Sequence, residues 1–295
     1  MTNTAAPALD ALHAACAAVA LDARGAEPIR IAENQIWRLP RGVIARIAPA
    51  DRALSAVREI NVAQWLSSNG IPVVKPLLVP QPLELAGRVV TFWDEVPPHS
   101  HGSTQDVARA LKRLHALPLP DFDIGHLDPF VRIPERLAAA QTLPAEDRRW
   151  LMNLYEELQD RWGTSLPAGL PSRAVHGDAW PGNVIRLSTG GWLLMDLERF
   201  SAGPPEWDLA STAVRARTTG AVTAPEYDTF CEIYGHDVTT WAGYGILAGA
   251  RELRMVTYAA QHAASNSHWQ AQAQHRVDCL RGRCGPRPWH WTGIV

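Results

Sequence analysis

The sequence predicts an α+β chain in two parts, a small antiparallel sheet over residues 1–96 followed by a larger, mainly helical region over 97–295. Short runs rich in β-branched and aromatic residues, separated by turn residues, fill the chain up to Trp93. Pro97-Pro98 then interrupts the pattern, and beyond it apolar residues recur at helical spacing. With 295 residues and 46% hydrophobic content, the chain can bury a sizeable core.

Taken in order, Ala5 to Leu21 reads as an alanine-rich helix; Asp10 and His13 interrupt it and no basic leader precedes it, so no signal peptide is expected. Ile29–Ala32, Ile36–Leu39 and Val43–Ile47 read as three strands joined by turns at Glu33-Asn34-Gln35 and Pro40-Arg41-Gly42. A helix from Ala53 to Asn69 follows, with Leu54, Val57, Val62, Ala63 and Leu66 near helical spacing. Val73–Val79 and Arg88–Trp93 complete a five-stranded sheet around the turn Pro80-Gln81-Pro82. In the second part, Thr104 is positioned to cap a helix with Val107, Leu111 and Leu114 on one face, ending at a structural His115. Pro144 opens a longer helix through Leu151, Leu154, Leu158 and Trp162. Further helices are expected at 225–234, 240–264 and 269–281, after a strand at 192–195.

A formal net charge of −2 advertises neither nucleic acid nor an acidic membrane, and no run is long and apolar enough to span a bilayer. A cytoplasmic protein, monomer or homodimer, is the expectation. Cys16, Cys231, Cys279 and Cys284 are scattered; no second pair or histidine cluster completes a zinc site, which makes them free thiols.

Chemistry concentrates at His176-Gly177-Asp178-Ala179-Trp180-Pro181-Gly182-Asn183 and at Asp196-Leu197-Glu198. Metal-assisted phosphoryl transfer needs an aspartate to orient and deprotonate the attacking hydroxyl, and hard oxygen ligands for a magnesium ion bridging the phosphates. Asp178 suits the first role, and Asn183 and Asp196 the second. Gly177 permits an unusual backbone before the acid, and Pro181-Gly182 supplies a tight turn.

These blocks, with Gly203-Pro204-Pro205-Glu206-Trp207-Asp208-Leu209-Ala210, resemble the aminoglycoside phosphotransferase and choline kinase-like family, relatives of protein kinases. Three blocks in the right order within residues 176–210 make the resemblance specific. It implies a bilobal, protein-kinase-like fold and an ATP- and Mg²⁺-dependent kinase, with GTP an open alternative, acting on a small hydroxylated molecule. It places His176 behind the acid as a buttress, Asp208 as a tie for the loop, and Glu198 near metal-bound water or in support of Asp196.

The resemblance also implies a cation on the third strand paired with a glutamate of the next helix; here they are Arg46 and Glu59, in a chain with only two lysines, Lys75 and Lys112. Arginine keeps its charge and grips phosphate bidentately. Asn34, in the turn over the phosphates, and Trp93, Glu95 and Val96, in the linker where main-chain groups would meet adenine, complete the expected nucleotide contacts. A protein kinase is disfavoured because Gly203 follows Asp196 after only six residues, too few for a long peptide-docking segment. The other readings are a catalytically silent nucleotide-binding scaffold and a metabolic choline, homoserine or sugar kinase.

For the acceptor, residues 201–295 hold eight acidic and eight basic side chains, so no acidic excess awaits a polycation. Twelve tryptophans offer stacking surfaces. A nucleoside-type antibiotic or an amino sugar therefore ranks level with or slightly above an aminoglycoside.

Overall fold

A computed structural model describes residues 5–32, 34–264 and 266–292. Helix α1 (Ala5–Ala18) precedes strands β1 (Glu27–Arg30), β2 (Gln35–Leu39) and β3 (Val43–Pro49), helix α2 (Ala53–Ser68), and strands β4 (Leu83–Leu85), β5 (Arg88–Asp94) and β6 (His99–His101). Next come α3 (Thr104–His115), α4 (Ile133–Ala139), α5 (Ala145–Thr164), β7 (Arg173–Val175), β8 (Val184–Leu187), β9 (Trp192–Leu194) and β10 (Ser201–Gly203). The chain continues through α6 (Glu206–Arg217), α7 (Ala224–Tyr234), α8 (Tyr244–Ala263) and α9 (His268–Leu280).

The chain forms two compact units, and a single cut at 96/97 does not describe them. The first contains the described residues up to Asp106, Leu119–Gly125 and Pro181–Phe200; the second contains Val107–Pro118, His126–Trp180 and the described residues from Ser201 onward. Backbone pairing explains why 181–200 joins the first unit. Strand β8 pairs with β6 and β9, and Val73 bridges Leu194.

In the first unit an antiparallel sheet has the order β1-β2-β3-β5-β4. Along β3 the buried Val43, Ala45 and Ile47 alternate with the half-buried Ile44 and Arg46, so the pleat sends Arg46 to the face opposite the core. On the core face Ala8, Ala11, Leu12 and Ala15 of α1 pack against Trp37, Ile47, Val90 and Phe92. Small alanines let the helix lie close to the sheet, and each large side chain buried there contributes about 1.5–3 kcal/mol. In the second unit α8 buries Leu247, Ala250, Leu253 and Val256 among Leu137 of α4, Leu151 of α5, Trp207 of α6 and Val277 of α9.

Several expectations are corrected. Residues 73–79 form no strand: Pro72 and Pro76 lack the N–H groups a ladder needs, and Val73 and Pro76 make only isolated bridges. The fifth strand is β4, joined to β5 through Ala86 (φ 50°) and Gly87 (φ 69°), a two-residue hairpin turn with both residues left-handed. In α2, Leu54 and Val57 are exposed, and the buried stripe is Glu59, Ile60, Val62, Ala63 and Leu66. Ser103, not Thr104, caps α3: its hydroxyl accepts from the Asp106 N–H at 3.1 Å while the Asp106 carboxylate accepts from the Ser103 N–H at 2.8 Å. Helix α8 begins at Tyr244, after a short turn at Val238–Thr240. Helices α4 and α6 and strands β6, β7, β8 and β10 were not expected. Glu33, part of the first expected turn, lies outside the described residues.

Candidate active site

The first unit gathers one half of the expected residues. The β8-β9 register pairs Val184 with Leu194, and the Met195 N–H donates to the Asn183 carbonyl at 2.8 Å. Asn183 therefore enters the hairpin opposite Met195, one residue before Asp196 leaves it, and an amide and a carboxylate come from the same end. Asp196 adopts φ 54°, a left-handed conformation that aspartate tolerates better than most residues, and its side chain is exposed. Two hard oxygen donors in this arrangement suit Mg²⁺.

Arg46 lies between two carboxylates. Its Nη1 donates to Glu59 Oε2 at 2.6 Å and its Nη2 to Glu198 Oε2 at 3.1 Å; Arg52 reaches Glu198 Oε1 at 3.8 Å. Period-2 alternation on β3 and the buried stripe of α2 bring the first pair together, and the short helical turn Leu197–Arg199 after Asp196 adds the second. Arg46, Arg52, Glu59, Trp93 and Glu198 line one recess with Asn34, whose buried Oδ1 has no hydrogen-bond partner.

Glu59 carries the electrostatic signature of this cluster. Burial raises its carboxyl from 4.5 to about 7; the Arg46 charge and hydrogen bond oppose burial, and the negative charges of Glu198 and Asp196 reinforce it. The folded state thus binds a proton more tightly than the unfolded chain. This stability is fully present below pH 4.5 and is lost as pH rises through about 7. Without divalent ions, the thermal midpoint should fall between pH 5 and 8, and Glu59→Gln should flatten that slope. An unchanged slope in the variant would remove Glu59 as its source.

The linker residues have other engagements. Trp93 is buried in β5, opposite Ile44, and its indole N–H donates to Thr91 Oγ1 at 2.9 Å. The Asp94 N–H donates to Lys75 O at 2.9 Å and the Glu95 N–H to Gly42 O at 2.7 Å, so both donors are used within the unit. The Glu95 carboxylate accepts from Arg38 Nε at 2.7 Å. Val96 lines an open surface cleft with Arg38, Gly42, Glu95 and Pro97.

The second unit holds Asp178. Buried Asp208 organises the backbone ahead of it: Oδ2 accepts from the His176 N–H at 2.7 Å and Oδ1 from the Gly177 N–H at 2.9 Å. Gly177 has φ 83°, its carbonyl accepts from the Trp207 indole N–H at 3.0 Å, and the Asp178 N–H meets His176 Nδ1 at 3.3 Å. His115 closes the network, hydrogen-bonded to Asp208 at 3.2 Å and to the Tyr234 hydroxyl at 2.9 Å. Burial would raise the Asp208 carboxyl, yet the His115 hydrogen bond and the electrostatic pull of His115, His176 and Arg251 hold it below the ordinary range.

Sequence reasoning missed Arg251. Its guanidinium lies 4.0 Å from the Trp207 ring centroid, and its Nε donates to the Trp207 carbonyl at 3.0 Å. Burial lowers its pKa to about 10 against the opposing charges of Asp208 and Asp178. An arginine in the apolar, alanine-rich run of α8 was the available signal.

The phosphotransferase enzyme family, abbreviated APH, matches residues 25–247. The chain belongs to this family. It is a phosphotransferase acting on an alcohol group, with the α+β protein-kinase-like fold. Among solved structures the phosphotransferase is similar to an amicoumacin kinase in complex with AMP-PNP, Ca²⁺ and Ami, at 14% identity and TM-score 0.68, covering 90% of this chain and 92% of that one. It is also similar to the aminoglycoside phosphotransferase APH(3'')-Id from Streptomyces rimosus, at 21% identity and TM-score 0.59, covering 78% and 92%. Choline kinase LicA from Streptococcus pneumoniae aligns at 17% identity and TM-score 0.59, covering 92% and 98%. No curated protein sequence matches the chain.

Proposed function

We propose that this phosphotransferase moves the γ-phosphoryl group of ATP, with Mg²⁺, to a hydroxyl of a small neutral or weakly charged acceptor, a nucleoside-type antibiotic or an amino sugar. The observation that carries the nucleotide half is the Arg46 cluster: one cation between Glu59 and Glu198, in the same compact unit as the hairpin that presents Asn183 and Asp196. Its recess suits a nucleotide phosphate, with Arg46, Arg52 and Asn34 among its lining groups. Asn183 and Asp196 are the residues that would hold the ion, which when bound neutralises charge developing on the phosphates. Asp178 orients the acceptor hydroxyl and accepts its proton; Asp208 and His176 fix the backbone that aims it. An intact base and both ligands argue against a silent scaffold. The enzyme's ATP requirement favours a cytoplasmic location, and phosphorylation of an antibiotic there would confer resistance.

The similar structures include an amicoumacin kinase and a spectinomycin phosphotransferase alongside an aminoglycoside phosphotransferase and a choline kinase, so the fold is found with several acceptor names. The balance of eight acids and eight bases over residues 201–295 favours the less charged acceptors. Apparent acceptor affinity should then change by less than about twofold between low and physiological salt, because screening weakens only charge-driven association. The deciding experiment incubates the protein with ATP, Mg²⁺ and a panel of hydroxylated antibiotics, sugars and choline, scoring added phosphate by mass. Efficient phosphorylation of kanamycin-like compounds, with nucleosides and sugars untouched, would overturn the acceptor class. GTP in place of ATP is tested in the same panel.

A further inference from the structure

We propose that His275, Cys279 and Cys284 form a binding site for a thiophilic divalent cation of the Zn²⁺ type, separate from the phosphoryl-transfer residues. The sequence reading of the cysteines left out His275, four residues before Cys279. On α9 that spacing puts imidazole and thiol on one face. The helix ends at Leu280, and Gly282 at φ 75° lets the chain turn back, with the Gly282 N–H donating to Cys279 O at 3.0 Å and the Arg283 N–H to Asp278 O at 2.8 Å. This reversal returns Cys284 to the face that carries the other two.

The distances match the coordination chemistry. Cys279 Sγ lies 3.6 Å from His275 Nε2 and Cys284 Sγ 3.8 Å from His275 Nδ1; one donor atom from each residue falls within 4.8 Å of the others. For a tetrahedral zinc with bonds of about 2.3 Å to sulfur and 2.0–2.1 Å to nitrogen, the N···S edge is about 3.6 Å. Cys279 and His275 already stand at that separation, and one donor atom from each of the three residues lies within 4.8 Å of the others, so a small side-chain rotation closes the set on one ion. Both cysteines are free thiols. A disulfide between them would leave the imidazole without a role, whereas a metal uses all three groups. Cys279 is buried while His275 and Cys284 are open to solvent, which provides an entry path and leaves the fourth position to water.

An ion there would fasten the end of α9 to the segment after it. That segment is also held by Arg281, paired with Glu146 and Asp147, by Arg287, whose Nε and Nη2 donate to Glu252 at 3.0 and 2.9 Å, and by the Trp289 N–H, which donates to Thr218 O at 2.7 Å. Binding the folded state alone should raise the thermal midpoint.

Cobalt titration of the reduced full-length protein tests the site without reference to kinase activity. The expected result is a thiolate-to-cobalt charge-transfer band and intense tetrahedral d–d bands that saturate at one equivalent and vanish when Zn²⁺ displaces the cobalt. Cys284→Ser, at an exposed position that need not disturb folding, should weaken the charge-transfer band and lower affinity at least tenfold, as should His275→Ala. In thiol-alkylation mapping, Zn²⁺ should protect Cys279 and Cys284 and leave Cys231 as reactive as before. Absence of cobalt–thiolate absorbance in the reduced protein overturns the proposal, as does a spectrum unchanged in both variants. Air oxidation that joins Cys279 to Cys284, with no cobalt spectrum after reduction, would instead make them a redox pair and equally overturn it.

Discussion

Asp178→Asn should remove most of the turnover, by about 10²–10⁴-fold, while the protein stays folded and binds nucleotide nearly as before. The exchange keeps the side chain's shape and removes its negative charge together with its capacity to take a proton. Asp178 is half-buried, and the hydrogen bonds that shape its backbone, from the His176 and Gly177 amides to Asp208 and from the Trp207 indole to the Gly177 carbonyl, are made by other groups. The nucleotide contacts proposed for Arg46, Asn183 and Asp196 belong to the other compact unit. Loss should therefore appear in kcat, with the nucleotide KM little changed, because proton acceptance matters in the transition state and not in nucleotide binding. Measuring both constants on an acceptor identified by the mass screen decides it. Near wild-type turnover in the variant would refute the proposed mechanism.

The protein-kinase-like α+β fold was legible because its signals are local: short β-branched and aromatic runs at β2, β3 and β5, helical spacing in α3 and α5, and three motif blocks in order. What was illegible depended on partners distant in sequence. Leu54 and Val57 fit a helical stripe, yet the face of α2 that is buried carries Glu59, a charge no hydropathy pattern would send inside. The position of 181–200 in the first unit follows from β6 pairing with β8, an interaction across more than eighty residues. Asn183 and Asp196 were chosen by residue type; their common end of a hairpin follows from a register that only the paired backbone fixes. Arg251 and His275 escaped notice for the same reason, since each gains its meaning from Trp207 or from cysteines brought close by folding.

Arg46→Ala should raise the nucleotide KM roughly 10–100-fold, the equivalent of losing one or two charge-assisted hydrogen bonds to phosphate. Removing the half-buried cation would destabilise the protein by stranding its buried partner carboxylate, but Glu59 has an alternative. Burial already places its carboxyl at about 7, and Arg46 is the influence that lowers it, so without Arg46 it rises further and takes a proton at neutral pH. The alanine variant should therefore melt cooperatively with a modest change in midpoint, separating a binding defect from a folding one. Arg46→Lys should keep partial activity: an ammonium restores the charge but not the planar fork that reaches Glu59 from Nη1 and Glu198 from Nη2 at once. Its nucleotide KM should lie between those of the wild type and the alanine variant. If the alanine variant kept wild-type nucleotide kinetics, the ion pair would be only a strut between β3 and α2, and the phosphate-binding cation would have to be sought elsewhere, with Arg52 of the same recess the first to test.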